Sequence, residues 1–375
     1  MAAKIKKRMI DDIIEKTDYA FQPIVSVHSG ILMAVEALIR NYETVGFETI
    51  EALFDVAYEK KLLYRLDLAL RGKALEKYKT ICIPHEFKLF YNIDNRVLLM
   101  PDYEIGNTTQ LLKDHNLQHN LFCFEISEKA PLVQEVNMKR ILTNYKNQNF
   151  FIAVDDYGAG FSGLMQLYKT EPHFIKIDRF FIQGINLDVR KKKFVASMVN
   201  LAHIIGVQVI AEGVETMEEF VACREIGCEY VQGNFVQKPQ TDVNEIRVQY
   251  DLIEHIAKKE QRQGVDDRDM ILLEMSRYEP IVISESTTED VLNYFRRHSH
   301  KTFVPVVNRF EEPVGIIQEM ILKKYVYSPY GKELLRNRKS RENVYDLVSA
   351  APACELSTNV ENIIELYNKN KEGVG

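Results

Sequence analysis

Cysteine is scarce and unpaired in this chain: five in 375 residues, an odd number, with no Cys-x-x-Cys. Cys223 and Cys228 stand five apart, a spacing that suits neither a zinc knuckle nor a redox pair. The thiols therefore read as reduced and mostly packed, as in a cytosolic protein. Excess positive charge is also lacking. A net charge of −6 gives no general reason to expect a nucleic-acid polymer as partner, and the triplet Lys191–Lys193 reads as the solvated face of a helix. No apolar run is long enough to span a membrane. The longest, Val195–Ala211, is broken by Asn200, His203 and Gln208 and reads as helix, turn at Gly206, then strand. The first sixteen residues are basic but lack the apolar core of a signal peptide. Low-complexity segments and short-period repeats are absent as well.

The bulk composition, 46% hydrophobic and 27% charged, is that of an ordinary soluble domain. The length suits two or three domains, or one large barrel with a small companion. From Phe21 to about Pro239 short apolar runs alternate with helix-like stretches. The runs are Phe21–Val27, Met33–Arg40, Leu89–Asp94, Leu121–Glu128, Phe150–Tyr157, Phe174–Asp178, Gln208–Glu215 and Tyr230–Val236. Between many of them lie Thr49–Leu63, Leu66–Lys79, Pro131–Asn147, Lys191–Ile205 and Met217–Ile226. This alternation predicts βα units with parallel strands. Eight runs suit a (β/α)8 barrel of the TIM type, whose usual size is about 250 residues. The alternative, a doubly wound open sheet, usually carries a glycine-rich dinucleotide fingerprint after its first strand, and none is present.

The organising stretch is Phe151–Leu164, FIAVDDYGAGFSGL. A short apolar run bounded by glycines reads as a buried strand, with Asp155 and Asp156 at its carboxyl end. Taken alone, the pair could equally be a turn in which Asp caps the backbone before glycine. The other strand ends tell against that, because nearly all carry a polar residue capable of chemistry: Gln22, Glu36, Arg40, Asn92, Glu125, Glu128, Lys176, Asp178, Glu212, Glu215 and Gln232. In a barrel these ends form the active face. One buried Glu is usually a salt-bridged core residue, but carboxylates converging from five strands need cations. Hard divalent ions fit oxygen donors best. A pair of such ions, about 3.5–4 Å apart, is a common arrangement for phosphoester hydrolysis.

After Pro239 the character changes. Val243–Lys259 is an amphipathic helix pattern, and Glu260–Asp269 a charged, linker-like run. A smaller unit follows: strand Ile281–Ile283, helix Thr287–His298, strand Phe303–Val307, a turn, and strand Val314–Ile317. A second copy of this pattern begins in Val344–Lys369, where Leu356–Val360 mirrors Ile283–Val291, and the sequence ends before the copy's next strand. The expected division is a barrel over 1–250, a linker over 251–270 and the small unit over 271–375.

The barrel residues resemble the EAL family of cyclic di-GMP phosphodiesterases. The naming motif stands as Glu36-Ala37-Leu38-Ile39-Arg40, preceded by Phe21-Gln22-Pro23-Ile24-Val25. Asn92, Glu125-x-x-Glu128, Asp155-Asp156-Tyr157-Gly158-Ala159-Gly160-Phe161-Ser162, Lys176-Ile177-Asp178, Glu212-Gly213-Val214-Glu215 and Gln232-Gly233 follow in order. The resemblance implies a barrel, often dimeric, that hydrolyses cyclic di-GMP to linear pGpG with Mg²⁺ or Mn²⁺. It further implies that Glu36, Asn92, Glu125 and Asp155 are metal ligands, that Asp156 holds a second ion, and that Glu212 reaches the same site. Lys176 would orient or activate the attacking water, and beside two cations its pKa is expected to fall. Gln22 and Arg40 would hold the dinucleotide, Arg40 through a phosphate; a rim salt bridge is the other reading of Arg40. Asp178 and Glu215 are placed with the substrate, Glu128 would hold the loop Asp156–Ser162 in shape, and Gln232 would brace the site. Asp94 stands where the family usually has Ser, adding a charge near the expected cations. The loop carries Ala159 and Phe161 where Thr and Tyr are commoner, and Lys129 stands where Ser is usual. None of these departures removes a ligand. A receptor that binds cyclic di-GMP without turnover is the alternative function. The small unit resembles a CBS domain. Its Gly315–Ile321 run places Gln318 and Ile321 where adenine-nucleotide binders have a hydroxyl and an Asp, so it is expected to pack and not to sense adenine nucleotides. In proteins of this layout a GGDEF domain often follows.

Overall fold

The computed structural model describes residues 10–83, 86–104, 106–128, 142–160, 163–261, 280–282, 286–298, 301–326, 344–351 and 353. The chain divides into two compact units, residues 1–199 with 208–258, and residues 200–207 with 259–375.

In the first unit eight strands close into a barrel in sequence order. They are β1 (Asp18–Ser26), β2 (Leu32–Arg40), β3 (Lys88–Asn92), β4 (Phe122–Ser127), β5 (Phe151–Tyr157), β6 (Phe174–Ile177), β7 (Gln208–Glu212) and β8 (Tyr230–Gln232). Each falls on one of the eight apolar runs. One expectation is corrected: the strands are not all parallel. β1 runs antiparallel to both β2 and β8, while β2 through β8 are parallel to one another. The cause is the length of the β1–β2 connection. Five residues, Val27–Ile31, allow a hairpin, whereas a parallel crossover needs about a dozen or more. Gly30 makes the turn possible with φ +73°, and a Cβ there would meet the Tyr250 carbonyl at 2.7 Å.

Side chains alternate across each strand, so residues two apart share a face. Ile24, Ala34, Phe90, Cys123, Ala153, Phe174 and Ile210 form one buried apolar cluster. These residues come from seven different strands, and the cluster is the packed middle of the barrel. On the outside, Thr49 accepts from the Ala52 amide and starts the helix Ile50–Glu59, and Thr216 with Glu219 forms a capping box on Met217–Ile226. Helices Leu63–Tyr78 and Val189–Ile204 fall close to their predicted positions. Most of the expected helix Pro131–Asn147 lies outside the described residues. The expected helix Val243–Lys259 starts late: Val243–Glu245 is a 3-10 turn and the α-helix runs over Asp251–Gln261. Between them the chain is extended and tied to the hairpin, the Leu32 amide donating to the Val248 carbonyl and the Tyr250 amide to that of Gly30.

The second unit contains β9 (Ile281–Val282), β10 (Phe303–Val307) and β11 (Pro313–Gln318) in a sheet of order β11-β10-β9. Thr287 and Asp290 form a capping box on the helix Thr288–Arg297, which buries Val291 and Phe295 against Val304, Val306 and Ile317. The expected second copy falls mostly on residues 354–375, outside the described residues. No helix among the described residues is long and apolar enough to cross a membrane.

Candidate active site at the barrel mouth

The site lies one pleat beyond the apolar cluster, two residues along the same strands. Glu36 follows Ala34, Asn92 follows Phe90, Glu125 follows Cys123, Asp155 follows Ala153, Lys176 follows Phe174 and Glu212 follows Ile210. Gln22 precedes Ile24 because β1 is reversed, and it pairs in register with Glu36. Gln232 ends β8 opposite Glu212.

At the centre is the ammonium of Lys176. Its Nζ lies 3.0 Å from Glu36 Oε2, 2.9 Å from Glu125 Oε1, 3.1 Å from Asp155 Oδ1 and 3.7 Å from Glu212 Oε1. Glu36 is the best satisfied of the four. It also accepts from Asn92 Nδ2 at 2.7 Å and from Gln232 Nε2 at 2.6 Å. Gln232 Nε2 reaches Gln22 Oε1 at 3.3 Å, and Gln22 Nε2 donates to the Gln237 carbonyl at 3.2 Å. Glu125 is the least satisfied: neither oxygen has a hydrogen bond of good geometry, and Asp155 Oδ1 also lacks one. Contact with Lys176 is thus an ion pair for both and no more.

The titration behaviour follows from this imbalance. Burial pushes Glu125 well above the usual carboxylate range, and the repulsion of Glu36 adds to it. Burial likewise raises Glu212, to about 8, with Asp155, Glu36 and Asp156 contributing. Burial alone would raise Glu36 too, but Lys176 and the hydrogen bonds from Gln232 and Asn92 outweigh it and hold it low. For Lys176, burial opposes the charge and the surrounding carboxylates override it, so its pKa rises.

Around this centre the remaining predicted residues separate. Asp156 sits at a register shift between β5 and β6 with φ +57°, and its Oδ2 accepts from Ser127 Oγ at 3.4 Å. Glu128 is buried and accepts from the Gly158 amide at 2.7 Å. A Cβ on Gly160 would meet Glu128 Oε1 at 2.7 Å, so the glycine lets the loop close on this carboxylate; Phe161 and Ser162 lie outside the described residues. Arg40 ends β2 and gives Nη1 to the Ile39 carbonyl at 2.9 Å. Among the described residues no carboxylate pairs with it. Asp178 lies beyond the end of β6 and accepts from the Phe180 amide at 2.7 Å as a helix cap. Glu215 lies beyond β7, exposed, 3.8 Å from Arg179. Asp94, expected to add charge near the cations, pairs with Arg96 at 2.6 Å and caps the 3-10 turn that follows β3.

Two contributors escaped the sequence reading. Glu219 is buried and accepts from the amides of Gly184, Glu215 and Thr216, joining the loops after β6 and β7. The Thr-x-x-Glu capping pattern was the signal that could have shown it. Gln237 enters through its backbone carbonyl, which leaves no sequence signal.

The donor set suits a divalent cation: carboxylate and amide oxygens, several without hydrogen bonds, and more negative charge than one ammonium offsets. Among the described residues, however, no three His, Cys, Asp or Glu side chains stand grouped as a ready metal cage. The carboxylates close on Lys176 instead. Fold and mouth together define an α/β barrel with four carboxylates gathered around one lysine at its strand ends. Residues 11–239 match the EAL domain, and the chain belongs to that family.

Among curated proteins it is similar to the probable cyclic di-GMP phosphodiesterase PdeG of Escherichia coli K12, 26% identical over 233 residues, 61% of this chain and 45% of that protein. It is also similar to the cyclic di-GMP phosphodiesterase RocR of Pseudomonas aeruginosa, 27% identical over 236 residues, 59% of this chain and 57% of that one. The chain thus spans about half the length of these relatives. Among solved structures, BlrP1 of Klebsiella pneumoniae in a manganese and cyclic di-GMP complex matches with TM-score 0.54 at 27% identity, over 60% of this chain and 56% of that one. A standalone EAL protein of Vibrio cholerae with cyclic di-GMP bound matches with TM-score 0.51 at 27% identity, over 60% and 92%.

Proposed function

We propose that the barrel hydrolyses cyclic di-GMP to linear pGpG with Mg²⁺ or Mn²⁺. The observation that carries the reading is the ring of carboxylates from four strands around Lys176. Relatives named as cyclic di-GMP phosphodiesterases support the substrate. Glu36, Asn92, Glu125, Asp155, Asp156 and Glu212 would hold the divalent ions, which supply Lewis acidity to water and offset phosphate charge. Lys176, with its amine set among these four carboxylates, would orient or activate the attacking water. Gln232 and Asn92 hold Glu36 ionised and in place. Arg40, with no carboxylate paired to its guanidinium among the described residues, matches the planar face of a phosphodiester. Glu128 fixes the loop that carries Asp156 toward the mouth.

Incubation with cyclic di-GMP and Mg²⁺ or Mn²⁺, followed by chromatography, tests this. The expected product is pGpG, lost on chelation and restored by metal. Binding without product would mean a receptor. Leu164, Met165 and Tyr168, exposed along the helix Gly163–Thr170, support a homodimer. We read the second unit as a CBS-like packing arm, and a GGDEF domain in the same protein remains part of the proposal.

A further inference from the structure

The stretch from Gln237 to Tyr250, beyond the last barrel strand, is tied to the mouth through side chains as well as backbone. Tyr250 is buried and stands just before the helix Asp251–Gln261. Its hydroxyl donates to Gln237 Oε1 at 2.6 Å, and Gln237 Nε2 donates to the Glu245 carbonyl at 2.8 Å. The backbone of Gln237 is held too. Its amide donates to the Gly233 carbonyl at 3.0 Å, and its carbonyl accepts from Gln22 Nε2 at 3.2 Å. Gln22 Oε1 in turn accepts from Gln232 Nε2 at 3.3 Å, and that nitrogen also donates to Glu36 Oε2 at 2.6 Å. A line of hydrogen bonds therefore runs from Tyr250 through Gln237, Gln22 and Gln232 to a carboxylate of the site. Beside it, Phe21 and Gln240 exchange two backbone bonds of 2.8 Å, which fixes the register of the stretch against β1.

We propose that Tyr250 is a positioning residue for Gln22, and through it for the cyclic dinucleotide; this rests on the function proposed above, with Gln22 as a holder of that ligand. A glutamine amide can turn over and exchange its donor for its acceptor. Turned over here, the Gln22 oxygen would face the Gln237 carbonyl and its NH2 group would face that of Gln232. Both pairs repel, so one orientation is fixed. In it, one N–H and one oxygen lone pair of Gln22 are unused by these bonds and are available to a ligand. Tyr250 sets where the accepting carbonyl stands. Without the hydroxyl, Gln237 Oε1 loses its donor and the side chain keeps only its tie to Glu245, so the carbonyl that orients Gln22 is less firmly placed. At the far end Glu36 is buffered, because Asn92 and Lys176 hold it as well. The effect of Tyr250 therefore falls on ligand binding at Gln22 and spares the carboxylates.

The test labels glutamine with ¹⁵N in the whole chain and follows the Gln22 side-chain amide by NMR, assigned by its loss in Gln22→Leu. KM and kcat for cyclic di-GMP are measured alongside in Mn²⁺. Tyr250→Phe removes the hydroxyl alone. It should shift the Gln22 amide signals and raise KM about fivefold, the weight of one hydrogen bond, with kcat within about twofold. Gln237→Leu should do the same, and adding Tyr250→Phe to it should change nothing more. Gln249 is the control: its Nε2 donates to the Ser29 carbonyl at 2.7 Å, a tie of the same stretch to the hairpin turn that does not include Gln22. Gln249→Ala should leave both readouts unchanged. An unmoved Gln22 signal in Tyr250→Phe, or an unchanged KM in a chain that turns the dinucleotide over, would overturn the proposal. So would an equal response to Gln249→Ala, because the stretch would then act only as packing. If the wild-type chain neither binds nor cleaves cyclic di-GMP while Tyr250→Phe still shifts the Gln22 amide, the substrate reading fails and the positioning of Gln22 stands.

Discussion

Two layers of one barrel, a single pleat apart on the same strands, have opposite chemistry. The inner layer of Ala34, Phe90, Cys123, Ala153, Phe174 and Ile210 is buried and apolar. The layer above it, Glu36, Asn92, Glu125, Asp155, Lys176 and Glu212, is almost wholly ionisable. The side chains of Lys176 and Glu125 are 0% exposed, and those of Asp155 and Glu212 14% and 29%. Buried charge is costly unless paired and hydrogen-bonded. The apolar layer supplies the packing that tolerates this cost, and the mouth holds groups that stability alone would not place there. Below the apolar layer the rule reverses: His173 and Lys88 are pushed toward their neutral forms.

The largest test of this division is Lys176→Met. Turnover of cyclic di-GMP should fall by about a hundredfold or more, as for groups that position a metal site. Four carboxylates would then face one another without the ammonium. Urea unfolding in chelator should show a loss of about 3–5 kcal/mol, and Mn²⁺ should recover much of it. Unchanged stability in chelator would mean that the carboxylates do not depend on Lys176.

Next comes the apolar layer. Phe174 is 2% exposed and packs on Phe90, Phe151 and Tyr230. Phe174→Ala should cost about 3–5 kcal/mol by denaturant unfolding. Because the lost ring packs on other aromatic rings in the apolar layer, chelator and Mn²⁺ should give the same loss. A loss that depends on metal would show that the two layers are not separate.

Much of this division was legible in the sequence. Strand after strand reads apolar, apolar, then carboxylate or amide, and the alternation of faces turns that into a layered interior. What was hidden came from places where chain geometry overrides periodicity. The reversed β1 depends on a five-residue hairpin, not on its apolar pattern. The late start of the helix at Asp251 follows from backbone pairing of Val248 and Tyr250 with the hairpin. Asp178 and Glu215 were read as strand ends, yet their strands stop at Ile177 and Glu212.

A smaller effect probes the floor. His173 accepts from the Ile152 amide at 3.0 Å through Nδ1, and burial, with Lys146 and Lys88, lowers its pKa to about 4. The folded pKa is below the unfolded value, so the fold favours the neutral ring. This contribution is fully present above about pH 6.5 and is lost as pH falls toward 4. Between pH 7 and 5 the loss should be about 1–2 kcal/mol. His173→Gln should flatten that slope in denaturant titrations at several pH values; an unchanged slope would place the acid sensitivity elsewhere.

The smallest effect is expected at Asp94. By strand periodicity it is the next inward position after Asn92, and a carboxylate there would enlarge the charged layer. The strand ends at Asn92, however, and Asp94 turns to the Arg96 amide at 2.9 Å and its guanidinium at 2.6 Å. Arg96 also reaches Asp55 at 2.6 Å, so the charge is absorbed by the rim. Asp94→Ser keeps a side chain able to cap the Arg96 amide. Stability should change by about 1 kcal/mol or less, as for partly exposed ion pairs, and metal affinity and turnover should stay within about twofold. A tenfold shift in Mn²⁺ affinity, measured calorimetrically, would place Asp94 in the charged layer after all and move the boundary between the layers beyond the end of β3.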